Sequence, residues 1–310
     1  MIRCARVRAY AKINLSLKVL NRRQDGFHEL RTVFQTVGVA DTLQFRYAAG
    51  RGVSIQVEDP LRIENNLVER AARAFFDETG ARGMLEIKLK KVIPMGGGLG
   101  GGSSDAAATL LALAGLCRRK APMEVLQRLA ASLGSDVPFF LYGGCALGLG
   151  RGEELYPLPD PKPLPVLILA PPVHISTPAA FRALARPDLT SGQPPPKLDI
   201  FQAFVWSGLC GPLAENDFEG PVFSLHPELK RWREKLIRLG AHVARLSGSG
   251  AALYGVFPDR AKLQGALPRF RQEPLQTFRT SLLSRARYRA RLLESLSEHL
   301  VDQQWPPRSR

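Results

Sequence analysis

Positions 96–102 are six glycines and one leucine, and Ser103, Ser104 and Asp105 follow at once. Glycine lets a chain turn sharply and brings its backbone close to a ligand. Alternation over residues 85–93 (LEIKLKKVI) predicts a strand before the glycines, and the alanine-rich run from Ser104 to Leu116 predicts a helix behind them. Free N–H groups and the dipole at a helix start favour an anion. A strand, a glycine loop and a helix in that order make a phosphate cradle, so the chain is first of all a candidate nucleotide enzyme.

Phosphoryl transfer needs three things: a cradle, a cation near the transferred group, and something to orient or deprotonate the acceptor hydroxyl. Residues 7–19 alternate with period two, which means a strand, or two strands with a bend, and place Arg8, Tyr10, Lys12, Asn14, Ser16 and Lys18 on one polar face. Asp136 stands in Gly134-Ser135-Asp136-Val137-Pro138, where proline pins the backbone. On spacing alone Lys12 is an exposed strand lysine and Asp136 an Asx-turn or cap residue. Ser104 serves equally well as a phosphate contact or as a helix N-cap. Asp105 reads as an acid placed in a first helical turn for the dipole.

Several phosphate loops compete. A Walker loop needs Gly-Lys, and that dipeptide never occurs. Gly96, Gly98 and Gly101 satisfy GxGxxG, but so would many choices within a glycine run, and the acid required about 20 residues on is replaced by Arg118-Arg119-Lys120. The HRD and DFG motifs of protein kinases are missing. The segment Pro94-x-x-x-Gly98-Leu99-Gly100, followed by Ser103-Ser104 and alanines, resembles the ATP loop of the GHMP small-molecule kinases. Ala11-Lys12-Ile13-Asn14-Leu15 and Leu246-Ser247-Gly248-Ser249-Gly250-Ala251 agree with that family in order and spacing. The doubled glycines before the serines resemble the branch that acts on cytidine-diphosphate-linked polyols. So do Asp25–Leu30 (DGFHEL), Gly134–Pro138, Gly148–Glu153 and Glu215-Asn216-Asp217-Phe218. The resemblance covers residues 8 to about 280.

The resemblance implies a two-lobed α+β fold, with a ribosomal S5 domain 2-like N-terminal lobe, a ferredoxin-like C-terminal lobe, and the site between them. It implies ATP-dependent phosphorylation of a tertiary 2-hydroxyl on such a polyol, yielding the 2-phosphate and ADP, in non-mevalonate isoprenoid precursor synthesis. Lys12 and Asp136 match the family's catalytic lysine and base. Pro94, Met95, Gly96, Gly97, Gly98, Leu99, Gly100, Gly101, Gly102, Ser103 and Ser104 match its ATP loop, with Asn65 and Asn66 toward the adenosine and Mg²⁺ accompanying the ATP. Asn14, Phe27, His28, Thr177, Phe181, Gly248 and Ser249 match its substrate side. Phe27 and Phe181 would stack on the cytosine and His28 would meet its edge, although Phe27 stands where a tyrosine is common. A kinase of the same fold for homoserine, mevalonate or a sugar is the nearest rival. A nucleic-acid-binding protein is the rival of another class.

The elements that must position these residues are legible in outline. Strands are expected at 32–38, 42–47 and 53–57, and a helix over 67–79 between an Asn66 cap and Gly80. A helix follows at 123–133, and residues 143–152 form a strand and hairpin. Proline-rich residues 157–165 read as a seam that divides the chain into an ATP-binding lobe, 1–160, and a second lobe, 161–292, with a basic tail, 293–310. In the second lobe the pattern predicts a strand at 166–170, a helix at 177–185 and a mobile loop or semi-rigid linker at 186–197. Beyond it come a helix at 227–239, strands at 242–247 and 251–257, and helix over most of the last forty residues.

The 310 residues carry a formal net charge of +15. Two polyanionic substrates account for a positive cleft, so neither nucleic acid nor a membrane is expected as a partner. The dense stretch Arg279–Arg291 (RTSLLSRARYRAR) reads as a solvated basic helix face. Cys4, Cys117, Cys145 and Cys210 lack the spacing of a zinc or disulfide framework. With no signal-like or membrane-length apolar run, a cytoplasmic monomer or homodimer is expected.

Overall fold

A computed structural model describes residues 1–118, 121–184 and 215–296, leaving aside the side chains of Asn21, Leu293 and Ser295. The loop expected at 186–197, Cys210 and most of the basic tail lie outside the described residues. Two sheets organise the rest. The first is built on β1 (Ile2–Arg22) and β2 (His28–Ala49), paired antiparallel along nearly their whole length. The other edge of β2 is shared: residues 42–49 pair with β4 (Gly83–Lys90) and residues 32–35 with β5 (Cys145–Leu149). Parallel β3 (Val53–Glu58) closes one end and β6 (Glu154–Pro157) the other. The short strands expected at 32–38 and 42–47 are thus one continuous strand.

The β1–β2 register slips between Tyr10 and Lys12 and again between Asn14 and Ser16. Such irregularities bend a strand and re-aim its side chains. Strand β1 consequently feeds three apolar clusters in turn: Ala5, Val7 and Ala9 enter one, Ala11, Ile13 and Leu15 another, Leu17 and Val19 a third. Tyr10, which simple alternation puts on the polar face, is fully buried, edge-on to Tyr288.

Helices α1 (Leu67–Thr79), α2 (Gly101–Leu116) and α3 (Met123–Leu133) pack behind this sheet. Asn66 caps α1 by accepting from the Val68 N–H, and Gly80 ends it in the left-handed region at φ 62°. Helix α2 is apolar nearly all round and buried along almost its whole length, as such composition requires. Each large side chain fully buried here, Phe75 or Leu110 for example, contributes about 1.5–3 kcal/mol. A short helix α4 (Phe139–Tyr142) follows α3.

Residues 158–164 carry the chain to a second, antiparallel sheet of β7 (Pro165–Ala170), β8 (Val243–Leu246), β9 (Leu253–Val256) and β10 (Gln276–Ser281), in the order β10-β7-β9-β8. Helices α5 (Thr177–Ala183), α6 (Glu219–Leu225), α7 (Pro227–Arg238) and α8 (Arg260–Ala266) accompany it. The expectation of helix through the last forty residues needs correction, because β10 pairs fully with β7 before α9 (Arg285–Leu293) begins. Nor is the arginine-rich stretch simply a solvated helix face. Arg279 lies on β10, Tyr288 is buried, and Arg285 donates from Nη2 to the Cys145 carbonyl at 2.5 Å and from its backbone N–H to Asp160 at 2.8 Å. No described helix is long and apolar enough to cross a membrane.

Candidate active site

The glycine loop leaves β4 through a buried ion cluster. Asp41 accepts the backbone N–H groups of Val92 and Ile93, the latter at 2.8 Å, and also the Lys91 ammonium. Lys91 Nζ reaches Asp105 Oδ2 at 2.7 Å, and the three side chains are 7% exposed or less. Burial opposes the Lys91 charge, but Asp105 and Asp41 outweigh it and raise its pKa. Burial, with Asp41 adding to it, pushes the Asp105 carboxyl up to about 8 against the pull of Lys91. Asp105 Oδ1 is buried without a hydrogen-bond partner. Asp105 is therefore no first-turn acid serving the helix dipole; it ties α2 to the end of β4.

Helix α2 starts at Gly101 with Gly100 as N-cap at φ 70°. A Cβ at Gly100 would stand 2.7 Å from the Phe140 ring, so both the backbone angle and the space require glycine. This start removes the N-cap role weighed for Ser104. Its N–H donates to the Gly100 carbonyl at 2.9 Å, while its hydroxyl is 1% exposed and unpartnered. Ser103 sits partly exposed in the same first turn, Leu99 is buried, and Met95 is 59% exposed.

Lys12 crosses beneath this loop. Its N–H donates to the Leu99 carbonyl at 3.0 Å, which explains why a lysine on the polar face of β1 is only 3% exposed. Lys12 Nζ donates to Asn14 Oδ1 at 2.6 Å and stands 3.4 Å from Asp136 Oδ2. Asn14 passes the chain on to Thr32 Oγ1 at 2.7 Å, and Thr32 donates to the Ser16 carbonyl at 2.8 Å. Asp136, in the turn after α3, keeps 31% of its side chain exposed. The pair has a buried cation side and an open carboxylate side.

The second lobe completes the rim. Ser247 Oγ donates to the Gly98 carbonyl at 3.0 Å, and Ala252 N–H donates to the Gly97 carbonyl at 3.2 Å. A Cβ at Gly98, whose φ is +75°, would lie 1.9 Å from the Ser247 carbonyl oxygen. Gly248 packs where a Cβ would stand 3.2 Å from Asn14 Oδ1 and 3.4 Å from Lys12 Nζ. Asn216, in the matching segment Glu215–Phe218, acts here on the backbone. Its buried amide donates to the carbonyls of Leu246 and Gly248 at 3.0 and 2.8 Å, and so shapes that loop. Thr177 and Ser249 share a hydroxyl hydrogen bond of 3.0 Å.

The aromatic corner differs from the expected sandwich. His28 stacks on Phe181 with ring centres 4.8 Å apart and planes 20° apart, and Phe181 meets Phe218 edge-on. Phe27 is 54% exposed with the Arg151 guanidinium 5.0 Å from its ring centre. Burial, with Arg22 adding to it, lowers the His28 pKa. Asn66 spends its amide on Val68 N–H and Asp59 Oδ2, each at 3.0 Å. Asn65 is exposed beside it with φ 51°.

The chain matches the family model for the GHMP kinases N terminal domain over residues 66–144 and that for the GHMP kinases C terminal over 207–274. It is 49% identical to a 4-diphosphocytidyl-2-C-methyl-D-erythritol kinase of Solibacter usitatus, covering 99% of this chain and 98% of the relative. A namesake from Thermodesulfovibrio yellowstonii is 37% identical over 85% of this chain and 93% of its own length. Among solved structures, a 4-(cytidine 5'-diphospho)-2C-methyl-D-erythritol kinase superposes with a TM-score of 0.75 at 36% identity, covering 91% of this chain and 99% of the other. A homoserine kinase from Cytophaga hutchinsonii, at 21% identity and a TM-score of 0.69 over 91% of this chain and 95% of its own, shares the fold. With its glycine loop, its two sheets and this likeness along its whole length, the chain belongs to the 4-diphosphocytidyl-2-C-methyl-D-erythritol kinase family, within the GHMP kinases.

Proposed function

We propose that this chain transfers the γ-phosphoryl group of ATP to the 2-hydroxyl of 4-diphosphocytidyl-2-C-methyl-D-erythritol, releasing ADP and the 2-phosphate. The observation that carries the reading is the Lys12–Asp136 pair, 3.4 Å apart, directly beneath the glycine loop. Asp136 takes the acceptor proton as general base. The Lys12 ammonium, 3.4 Å from Asp136 Oδ2, holds that carboxylate in place and offsets charge that develops on the acceptor oxygen. Asn14 fixes the ammonium, and the loop from Pro94 to Ser104 cradles the phosphates. Magnesium bound with the ATP would neutralise phosphate charge, with the partly exposed Ser103 and, behind it, the unpartnered Ser104 hydroxyl as the loop's side-chain oxygens for that ion or a phosphate.

Phe27, His28, Phe181 and Thr177 take the cytidyl end, with Gly248 and Ser249 closing over the polyol and Asn65 facing the adenosine. For the cytosine to lie on Phe181, His28 must leave its stack and offer a ring nitrogen to the base edge. The same reading divides the chain into an ATP-binding lobe, 1–160, a second lobe, 161–292, and a tail, 293–310. It takes the protein as a cytoplasmic monomer or homodimer. The test is incubation with ATP, Mg²⁺ and the cytidyl polyol, followed by detection of ADP and a singly phosphorylated product. Turnover of homoserine or mevalonate in its place would overturn the substrate assignment.

A further inference from the structure

An open cleft of about 890 Å³ lies where the outer face of the first sheet meets β10 and α9. Five cationic side chains converge on it from four elements: Arg6 and Arg8 of β1, Lys90 of β4, Arg279 of β10 and Arg291 of α9. Glu294 is the one acid on its lining. Among the described residues, no acid forms a salt bridge with Arg8, Lys90, Arg279 or Arg291, and all four are exposed. Between the cations the wall is apolar, with Val39, Phe278 and Val92, the last 42% exposed.

Like charges gathered in a concave surface repel one another and focus a field that an anion relieves. Neither the phosphate loop nor Lys12, Asp136 or the aromatic corner lines this cleft. The arginine-rich stretch, which the proposed reaction leaves unused, supplies two of its cations. A volume of this order suits a small molecule, and guanidinium groups pair with phosphate oxygens in a fork. We propose that the cleft is a second ligand site, separate from the ATP loop, that takes a diphosphate ester whose apolar body lies against Val39, Val92 and Phe278.

The test is calorimetric titration of the full chain with its ATP loop saturated by a non-hydrolysable ATP analogue. Inorganic pyrophosphate, CDP and geranyl diphosphate are titrated in separate experiments. Geranyl diphosphate should bind at one site more tightly than pyrophosphate, because it alone adds the apolar body. CDP, which the cytidyl corner also takes, counts only through the uptake that Arg8→Ala with Arg279→Ala removes; CDP tighter than geranyl diphosphate by that measure would overturn the apolar body, and no uptake of any of the three would overturn the site. Arg8→Ala combined with Arg279→Ala should weaken binding at least tenfold with an unchanged Tm. The control pair Arg238→Ala and Arg260→Ala, exposed on the second lobe, should leave it within twofold. Equal weakening by both pairs means diffuse attraction rather than a site, and RNA binding without diphosphate uptake means a different ligand class; either result overturns the proposal.

Discussion

Two buried lysines flank the glycine loop, and they differ in what surrounds them. Lys91 sits between Asp41 and Asp105 in a cluster whose side chains are at most 7% exposed. Lys12 has Asn14 on one side and, on the other, an aspartate with nearly a third of its side chain exposed. A closed ion cluster fixes geometry, because breaking it leaves an uncompensated buried charge. An open one leaves a carboxylate free to exchange a proton with a ligand. The same residue types, a few ångströms of access apart, therefore divide into scaffold and chemistry.

The largest expected effect lies on the open pair. Asp136→Asn should lower kcat by about 10²–10⁴, a general-base magnitude, with ATP affinity and unfolding free energy nearly unchanged. Full activity would remove Asp136 from the reaction. Lys91→Met should do the reverse. Urea unfolding should lose about 3–5 kcal/mol, the usual cost of stranding buried charge, while the folded fraction turns over within a few-fold of the parent. A kcat collapse without lost stability would make Lys91 part of the chemistry and end the distinction.

Phe181→Ala ranks next. It should raise KM for the cytidyl substrate by about tenfold, the order of one lost aromatic stack, and leave KM for ATP alone. Equal loss for both substrates would make the ring part of the core. The last effect is a slope rather than a rate. Asp105 has its folded pKa raised from 3.8 to about 8. Between those values the folded state holds a proton that the unfolded state has lost, so this group's contribution to stability falls as pH rises from about 4 to about 8. Asp105→Asn should flatten that fall, seen as a smaller drop in Tm between pH 5 and pH 8.5. An unchanged slope would show that another group carries it.

The sequence announced the open pair more clearly than the closed one. Lys12, Asn14 and Asp136 lie in segments with a recognisable pattern, and alternation placed Lys12 and Asn14 on one face of a strand. Their burial was not legible, because the Leu99 carbonyl and Gly248 that cover them come from distant parts of the chain. The Asp41–Lys91–Asp105 cluster escaped notice because its members are 50 and 14 residues apart. The one available signal was a lysine at the very end of a strand whose neighbours alternate. Helices α1 and α3 were legible nearly to the residue, since an Asn cap and closing glycines mark them. Strand β10 was hidden because Arg279, its one arginine, opens a stretch that mimics a basic helix face, and only pairing with β7 decides the matter.

Gly98 and Ser247 stand 149 residues apart in the chain, yet no methyl group fits between them, and Gly250 meets the same loop with equally little room. A contact this close leaves no slack for one loop to slide across the other. Lys12 is tied to the glycine loop separately, through the Leu99 carbonyl at 3.0 Å, so the spacing of ammonium and phosphate cradle is set within the first lobe alone.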